Sequence, residues 1–177
     1  MTINIRKAKP SDAAIISLIG RLTFRETFGA LFSEHEDDLC EYLDRTFSVA
    51  KIASSIAKPE NHYWLSTLNE LPVGYAKQKF PSPHSLITAA PIAQLQKIYV
   101  LSEFLQLHIG HALLDATMRQ ATAAKVNVMW LTVLKTNERA IRFYHRHGWE
   151  SAGHQSFTIG SQDFAFLVLK IEAYKKS

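Results

Sequence analysis

The sequence has almost no cysteine: Cys40 is the one example among 177 residues. A lone cysteine cannot form an intramolecular disulfide, so a reducing compartment is the simplest interpretation. The first ten residues lack the apolar segment of a signal peptide, and no apolar run is long enough to cross a bilayer. We therefore expect a cytoplasmic protein with no membrane partner.

A large excess of charge is also missing. The chain carries 20 lysine and arginine residues against 16 aspartate and glutamate residues, a formal net charge of +4. The basic residues are dispersed, and no helical segment shows a basic stripe with interleaved aromatic residues. This pattern argues against a nucleic-acid-binding regulator, although a modest positive charge can favour an anionic ligand.

The composition that remains is that of a globular protein, with 47% hydrophobic and 20% charged residues. The length fits one domain that covers residues 1–177. Strand-like and helix-like periodicities alternate in the middle of the chain, which predicts an α/β fold with a mixed central sheet.

A nearly continuous apolar segment at residues 127–134 predicts a strand that is buried on both sheet faces. The other predicted strands are residues 2–8, 61–67, 73–79, 94–100, 149–158 and 163–171. A turn is predicted at 69–72 and a surface loop at 80–92. Predicted helices begin at Pro10, span 36–57 in two pieces, and cover 110–124 and 137–147, with Gly148 ending the last one.

The most informative segment runs from strand 94–100 through loop 101–109 to helix 110–124. A strand that leads directly into a helix points the first free N–H groups of the helix into a crevice at the strand end. Those donors and the helix dipole favour a phosphate or pyrophosphate. Gly110 would let the backbone approach such a ligand. Alternatively, Gly110 simply begins a tightly packed helix, and one glycine does not decide between the two interpretations.

Two runs of residues in this segment resemble the core motif of the GNAT acetyltransferase superfamily. They are residues 95–100 (LQKIYV) and 105–114 (LQLHIGHALL). The family motif reads Gln/Arg-x-x-Gly-x-Gly/Ala at the strand-to-helix loop. Leu105 stands at its first position and His108 at its first glycine, whereas Gly110 keeps the second small residue.

A second motif supports the first. Residues 137–149 (NERAIRFYHRHGW) resemble the family signature N-x-x-A-x-x-F-Y-x-x-x-G-F, with Trp149 in place of phenylalanine. The two motifs occur in the family's order and spacing, and the pair is far more specific than either motif alone.

The resemblance implies a GNAT-like domain that binds acetyl-CoA as cosubstrate where strand 94–100 separates from strand 127–134. Main-chain groups of Ile98 and Val100 would bind the pantetheine arm, and a main-chain N–H there could stabilise an oxyanion. Asn137 would contact the cofactor, although its position also suits a helix N-cap. The cofactor-binding residues implied by the resemblance are Ile98, Tyr99, Val100, Leu105, Gln106, Leu107, His108, Ile109, Gly110, His111, Ala112 and Asn137.

Tyr144 is the catalytic candidate. Attack by an amine on a thioester expels a thiolate, which a nearby phenol can protonate, and the resemblance places a tyrosine at this point. The alternative is a half-buried tyrosine that packs beside Phe143.

The general base is unassigned. Gln94 stands where related sequences carry a glutamate, and an amide cannot accept a proton usefully. The remaining candidates are His154, Tyr99, Glu103 and water connected to bulk solvent. The histidines do not share a metal-ligand spacing with cysteine or carboxylates, so no metal is expected. When protonated, His108 and His111 could instead pair with CoA phosphates.

The wider pattern resembles the bacterial PaiA-like branch of the family, which is linked to polyamine N-acetylation. The supporting segments are residues 24–28, 74–77, 98–100 and 153–160. Six acids could attract a polycation: Glu34, Glu36, Asp37, Asp38, Glu41 and Asp44. The same acids also suit a solvated helix start, where they complement the helix dipole, and we favour this second interpretation.

We therefore predict an acetyl-CoA-dependent N-acetyltransferase that acts by direct attack in a ternary complex. Its acceptor would be a polyamine, another small amine or a protein amine, and a homodimer is implied by resemblance alone. The alternative is a catalytically degenerate acyl-CoA-binding protein, because Leu105, His108 and Gln94 depart from the family pattern. The presence of Asn137 and Tyr144 argues against that alternative.

Overall fold

One seven-stranded sheet organises the computed structural model, which describes residues 2–173. Its strands are β1 (Ile3–Lys7), β2 (Asn61–Leu68), β3 (Leu71–Lys79), β4 (Ile92–Val100), β5 (Val128–Leu134), β6 (Glu150–Ile159) and β7 (Gln162–Glu172). Their order across the sheet is β1-β2-β3-β4-β5-β7-β6. Neighbouring strands are antiparallel except for β4 and β5, which run parallel. The predicted α/β fold with a mixed sheet is confirmed.

Five α-helices lie within residues 2–173: α1 (Ala13–Phe28), α2 (Glu36–Phe47), α3 (Val49–Ile56), α4 (Ile109–Ala123) and α5 (Glu138–Arg146). The stretch predicted at 36–57 forms two helices because Ser48 between them has an extended backbone, with φ −61° and ψ 144°. Gly148 follows α5 with φ +81°, one residue after the C-cap His147. None of these helices is long and apolar enough to span a bilayer.

The two faces of the sheet carry different helices. On one face, α1 and α3 pack against Tyr63, Leu65 and Tyr75; we call this the α1–α3 face. On the opposite face, α4 packs against Trp64 and Ala76; we call this the α4 face. Because side chains alternate along a strand, the neighbours Tyr63 and Trp64 belong to opposite cores.

Strand β5 is buried on both faces, as its apolar sequence predicts. Six of its seven residues are buried. Met129 and Leu131 belong to the core beneath α4, whereas Val128 and Trp130 pack in a cluster with Val168 of β7. The central position between β4 and β7 explains why a polar face is missing from this strand.

The hairpin between β2 and β3 differs from its prediction. Asn69 and Glu70 both have positive φ, 47° and 71°, which is the backbone of a two-residue type I′ turn. Strand β3 therefore begins at Leu71, two residues earlier than predicted. Pro72 fits into the strand because a β-bulge interrupts the ladder at this end of the hairpin.

Helices α1 and α2 approach each other closely at one glycine. An ideal Cβ on Gly20 would lie 2.5 Å from Cδ1 of Phe47 and 2.9 Å from the hydroxyl of Tyr75. The Ser17 hydroxyl donates a hydrogen bond to the Phe47 carbonyl. These contacts hold the end of α2 against α1 and above the sheet.

Gly20→Ala should lower the free energy of unfolding by about 1–3 kcal/mol, because the added methyl group overpacks this contact. Gly29→Ala is the matched control, since its Cβ would have Cγ of Arg25 as nearest neighbour at 3.5 Å. Chemical denaturation of both variants measures the difference. Equal stabilities would contradict the close approach at Gly20.

Candidate active site

The parallel strands β4 and β5 separate part-way along their length. Each contributes three residues to the pairing, which ends at Gln94 and Trp130. Strand β4 nevertheless continues to Val100 and β5 to Leu134, so the two strands enclose an open gap, which we call the cleft. The predicted separation of these strands is confirmed.

Every second residue of β4 directs its main-chain N–H and C=O groups toward the cleft. The Leu101 N–H donates to the Val73 carbonyl at 3.0 Å, so Leu101 and Tyr99 direct their main-chain groups toward β3. Ile98 and Val100 therefore direct theirs to the other edge, where β5 has moved away. These are the residues whose main chains the resemblance assigns to the cofactor, whereas Tyr99 offers no free main-chain group to the cleft.

A β-bulge lies where the cleft opens. Lys77 pairs with Lys97, but Gln78 pairs with Leu95, so Gln96 is an extra residue in β4. A bulge bends the strand and re-aims its side chains. As a result, Gln96 and Lys97 line the same cavity although they are adjacent in sequence.

The start of α4 presents free N–H groups at the end of β4. Within residues 2–173 the chain provides no acceptor for four consecutive amides, those of His108, Ile109, Gly110 and His111. The first helical hydrogen bond is donated by Ala112 to the His108 carbonyl, at 3.1 Å. The positive end of the helix dipole adds to the preference of these amides for an anion. The arrangement fits a pyrophosphate.

His108 has a left-handed backbone, φ 58° and ψ 14°, at the N-cap position of α4. Glycine adopts this conformation freely, whereas other residues lose about 1–2 kcal/mol. This backbone explains why the family motif has a glycine at the position. Because His108 has this backbone too, the loop keeps the conformation that a glycine would adopt at this position.

Packing within the chain does not require glycine at position 110. The nearest atoms to an ideal Cβ there are ring carbons of Phe143, at 3.8 Å, which is an ordinary contact distance. The interpretation of Gly110 as a residue that merely lets α4 pack tightly is therefore not supported. The open space beside it fits the close approach of a ligand.

The other loop residues of the predicted site have structural contacts. The amides of Leu105 and Leu107 donate to the carbonyls of Ser102 and Phe104, at 3.4 and 3.3 Å. The side chains of Leu105 and Leu107 pack against the core beneath α4, whereas Gln106 is exposed. Leu105 thus anchors the loop at the position where the motif has Gln or Arg.

Asn137 is the N-cap of α5. Its Oδ1 accepts a hydrogen bond from the Ala140 amide at 3.1 Å. Within residues 2–173 its side-chain nitrogen donates to no acceptor. Capping and a cofactor contact use different atoms of this side chain, so the two roles are compatible.

Tyr144 packs on α5 against the same core cluster as Ile98 of the cleft. Its ring meets those of Phe143 and Trp149 edge-on, with centroids 5.2 and 5.7 Å apart. Burial raises the pKa of its phenol, so Tyr144 stays protonated at neutral pH. Tyr144 therefore packs beside Phe143, as the alternative interpretation predicted. The same burial keeps on its phenol the proton that a general acid must donate.

A pair of histidines links α4 to α5. His147 Nδ1 lies 2.7 Å from the Phe143 carbonyl and donates to it, and His147 Nε2 shares a hydrogen bond of 2.8 Å with His111 Nδ1. His111 Nε2 lies 3.3 Å from the Asp115 carboxylate. In the described part of the chain, no group of three His, Cys, Asp or Glu side chains could hold a metal ion.

Comparison with known proteins identifies this arrangement. A family model described as the acetyltransferase (GNAT) family matches residues 22–149, which is more than half of the chain and includes both motifs. The chain belongs to the GNAT acetyltransferase family. It is therefore an enzyme of acetyl transfer with acetyl-CoA as its donor, as the two motifs predict.

Several relatives of this GNAT enzyme match nearly its whole length. An uncharacterised N-acetyltransferase from the pepI 3' region of Lactobacillus delbrueckii subsp. lactis is 23% identical over 168 residues, covering 95% of this chain and 96% of that protein. The PaiA N-acetyltransferase of Thermoplasma acidophilum, solved with coenzyme A, has a TM-score of 0.75 at 19% identity over 97% and 99% of the two chains. The ribosomal-protein-S18-alanine N-acetyltransferase of Escherichia coli has a TM-score of 0.72 at 16% identity over 99% and 97%. At these identities the two solved structures show a shared fold.

A cavity of about 300 Å³ beside the β-bulge was missed by the sequence analysis. We call it the lysine cavity. Its lining residues are Thr46, Lys51, Ile52, Ser55, Tyr63, Lys77, Gln94, Gln96 and Lys97. The three lysines come from α3, β3 and β4, so no spacing in the sequence connects them.

Two of the lysines that line this cavity, Lys77 and Lys97, have lowered pKa values. Burial, followed by the charges of Lys77 and Lys51, lowers the pKa of Lys97 to about 7. Burial, followed by neighbouring lysines, lowers the pKa of Lys77 to about 8. The Lys97 ammonium lies 4.8 Å from the ring centre of Phe47 and 5.3 Å from that of Tyr99.

The residues that the sequence suggested as general base are either exposed at the surface or protonated at neutral pH. Burial raises the pKa of Tyr99, so its phenol stays protonated at neutral pH. His154 on β6 and Glu103 in a 3₁₀ turn are exposed at the surface. Gln94 accepts a hydrogen bond from Gln96 at 3.0 Å. Water is the remaining candidate from the sequence analysis.

Three of the six acids near the first helices, Glu36, Asp38 and Asp44, have partners within the described part of the chain. Glu36 pairs with Arg25 at 2.5 Å, and Asp38 accepts a hydrogen bond from the Ser161 amide at 2.9 Å. Glu36, Asp37 and Asp38 occupy the first turn of α2, where their charge complements the helix dipole. Glu36 and Asp38 thus contact α1 and the β6–β7 turn from the first turn of α2.

Gly110→Ala should weaken acetyl-CoA binding about tenfold, because a methyl group would fill the space through which the pyrophosphate approaches. The same change should leave the free energy of unfolding equal or raise it by up to about 1 kcal/mol, since alanine favours the helix. Calorimetric titration and chemical denaturation measure the two quantities.

His108→Gly is the control for that loop. Glycine keeps the left-handed backbone, so the affinity for acetyl-CoA should be retained. Undiminished affinity in Gly110→Ala would show that the ligand does not approach the helix at this residue.

The free energy of unfolding should rise with pH between about 7 and 10. Lys97 has a pKa of about 7 when folded and 10.5 as a free side chain, so the unfolded state binds more protons in that window, and stability increases with pH. Lys97→Met should flatten this rise, whereas exposed Lys170→Met should leave it unchanged. Denaturation at a series of pH values measures the slopes, and identical slopes in both variants would contradict the shift.

Proposed function

We propose that the protein transfers the acetyl group of acetyl-CoA directly to an amine bound in the same ternary complex. The observation that carries this proposal is the cleft. Strands β4 and β5 separate after Gln94 and Trp130, and the free amides of α4 follow at the end of β4. A donor held there presents its thioester to an amine without an acetylated enzyme intermediate, because the two reactants are held together.

Three sets of groups would hold the donor. The amides of residues 108–111 would bind the pyrophosphate, and the main chain of Ile98 and Val100 would bind the pantetheine arm. The free nitrogen of Asn137 would contact the cofactor from the start of α5. Most of these groups belong to the main chain, which is why Leu105 and His108 are compatible with binding.

Tyr144 would act as the general acid. The amine nitrogen forms a bond to the thioester carbonyl carbon, and the negative charge on the carbonyl oxygen would be stabilised by a main-chain N–H of β4. When the C–S bond breaks, Tyr144 would donate its proton to the departing thiolate. The raised pKa of the buried phenol keeps this proton in place at neutral pH.

The acceptor must also lose a proton, because an ammonium ion has no free electron pair. We assign this step to water connected to bulk solvent, since Tyr99 stays protonated and the Gln94 amide is not basic. After attack, the cationic nitrogen of the tetrahedral intermediate must lose a second proton. One of the two protons restores the Tyr144 phenol and the other is released to solvent, so an ammonium ion and acetyl-CoA give the amide, the thiol of CoA and one proton.

Two acceptor classes are suggested by the relatives. The PaiA-like resemblance suggests polyamines, and the similarity to an enzyme named for the alanine of ribosomal protein S18 suggests a protein amine. The assay panel should therefore contain both classes. A homodimer and a cytoplasmic location stay predictions from the sequence.

Calorimetric titration with acetyl-CoA should detect binding in the micromolar range, about −8 kcal/mol. Asn137→Ala should weaken this binding. Asn137→Ser is the matched control for capping, because serine keeps the N-cap but lacks the amide nitrogen. Equal weakening in both variants supports a cofactor contact, whereas full affinity in Asn137→Ser would reduce Asn137 to a helix cap.

Tyr144→Phe should lower kcat several-fold and leave the affinity for acetyl-CoA nearly unchanged, because only the proton donor is removed. Steady-state kinetics and calorimetry separate the two effects. Unchanged turnover would remove Tyr144 from the mechanism. Binding of acetyl-CoA by the wild type without turnover of any amine would favour the degenerate acyl-CoA-binding protein.

A further inference from the structure

The lysine cavity has a positive charge that the chain itself does not balance. Three of its lining residues are lysines, and none is an acid. Within residues 2–173, none of the ion pairs involves Lys51, Lys77 or Lys97. Glu60 favours the charged form of Lys77, but its effect is smaller than that of the surrounding lysines.

Two of these lysines face each other in the sheet. Lys77 on β3 pairs directly with Lys97 on β4, and like charges at such a position destabilise a sheet. The rings of Phe47 and Tyr99 beside the Lys97 ammonium offset part of that cost. Repulsion between the two lysines lowers the stability of the protein without ligand. Such an arrangement is typical of a functional site, where a ligand supplies the negative charge that the chain lacks.

The lysine cavity adjoins the cleft. Gln94 is the last residue of β4 that pairs with β5, and it lines the cavity together with Gln96 and Lys97 of the bulge. The hydroxyl groups of Thr46 and Ser55 contribute neutral hydrogen-bonding partners on the helical side. A molecule in this cavity therefore lies along the same strand that would hold the acetyl donor.

We infer that the lysine cavity binds an anionic group, a carboxylate or a phosphate, of the amine that accepts the acetyl group. This inference rests on the proposed function and restricts the class of amines that can act as acceptor. The acceptor is an amine that also carries negative charge, and its anionic end lies among Lys51, Lys77 and Lys97. A polyamine would instead bring ammonium groups close to three lysines, which is repulsive.

Binding of such an anion requires the lysines to be charged. Lys97 and Lys77 have pKa values of about 7 and about 8 in the empty cavity, and a nearby anion raises both. The other charged groups that act on them are Lys51 on α3, Lys58 and Glu60 in the following loop, and Lys79 on β3. All but Glu60 oppose protonation, so an anion at pH 8 should bind with uptake of protons.

Matched acceptors test the charge preference. The panel consists of straight-chain ω-amino acids, ω-aminoalkyl phosphates, the ω-amino acid amides and the diamines of equal length, each with acetyl-CoA. The acids or phosphates should show kcat/KM about tenfold or more above the amides and diamines. The ratio between acids and phosphates identifies which anion the cavity prefers. Diamines or amides that equal the acids and phosphates would overturn the inference.

Lys97→Met and Lys77→Met should reduce this preference through KM for the anionic acceptors, with little change in kcat. Exposed Lys170→Met is the matched control and should retain the preference. Met replaces a buried charge by an apolar chain of similar length, so these variants should fold. Retention of the full preference in both cavity variants would overturn the inference.

A measurement without turnover gives an independent test. Glutarate and inorganic phosphate are titrated into the protein at pH 8, in buffers of different ionisation enthalpy. At least one of these anions should bind with proton uptake, and Lys97→Met should reduce the uptake. Failure of both anions to bind, or binding without proton uptake, would contradict the assigned site.

The outcomes also separate this inference from the proposed function. If acetyl-CoA binds and neutral amines or diamines are acetylated as well as the acids, the acetyltransferase proposal stands and the anionic acceptor is wrong. If acetyl-CoA binds and no amine is acetylated, the proposed function fails. Glutarate or phosphate binding with proton uptake would still identify the cavity as an anion site in that case, but its assignment to the acceptor would fall.

Discussion

The separation of β4 from β5 after Gln94 and Trp130 is the constraint on which the rest of this structure depends. Parallel strands need a crossover connection, and α4 is that connection, so its N-terminus lies where the strands part. The separation also leaves main-chain groups of Ile98 and Val100 without strand partners. Unpaired main-chain groups cost free energy when water is excluded. The fold of this GNAT enzyme thus carries an edge that a bound donor can complete.

The candidate donor site and the lysine cavity also lie on opposite faces of the sheet. The groups suited to the donor, at the starts of α4 and α5, belong to the α4 face, whereas the lysine cavity lies under α3 on the α1–α3 face. The bulge at Gln96 joins the two regions, because it bends β4 and turns consecutive side chains toward the cavity. The electrostatics of the two regions can therefore differ although they share one strand.

Local periodicity predicted most elements because each depends on neighbours in sequence. The apolar run in β5 and the two-piece helix at 36–57 are examples in which burial follows directly from pattern. The end of the β2–β3 hairpin was less predictable. Its boundary depends on positive φ at Asn69 and Glu70, and Pro72 obscured the start of β3 because proline usually marks a turn.

The sequence by itself determined the fold class, the family and the segment that contains the donor site, since two motifs in fixed order carry that information. Only the tertiary structure decided what individual residues do there. It showed that His108 keeps a left-handed backbone and that packing leaves space beside Gly110. It also brought three lysines together from separate elements. Those properties depend on which groups meet across the sheet. Contacts between residues that are distant in sequence produce no periodic pattern in the sequence, so it could not predict them.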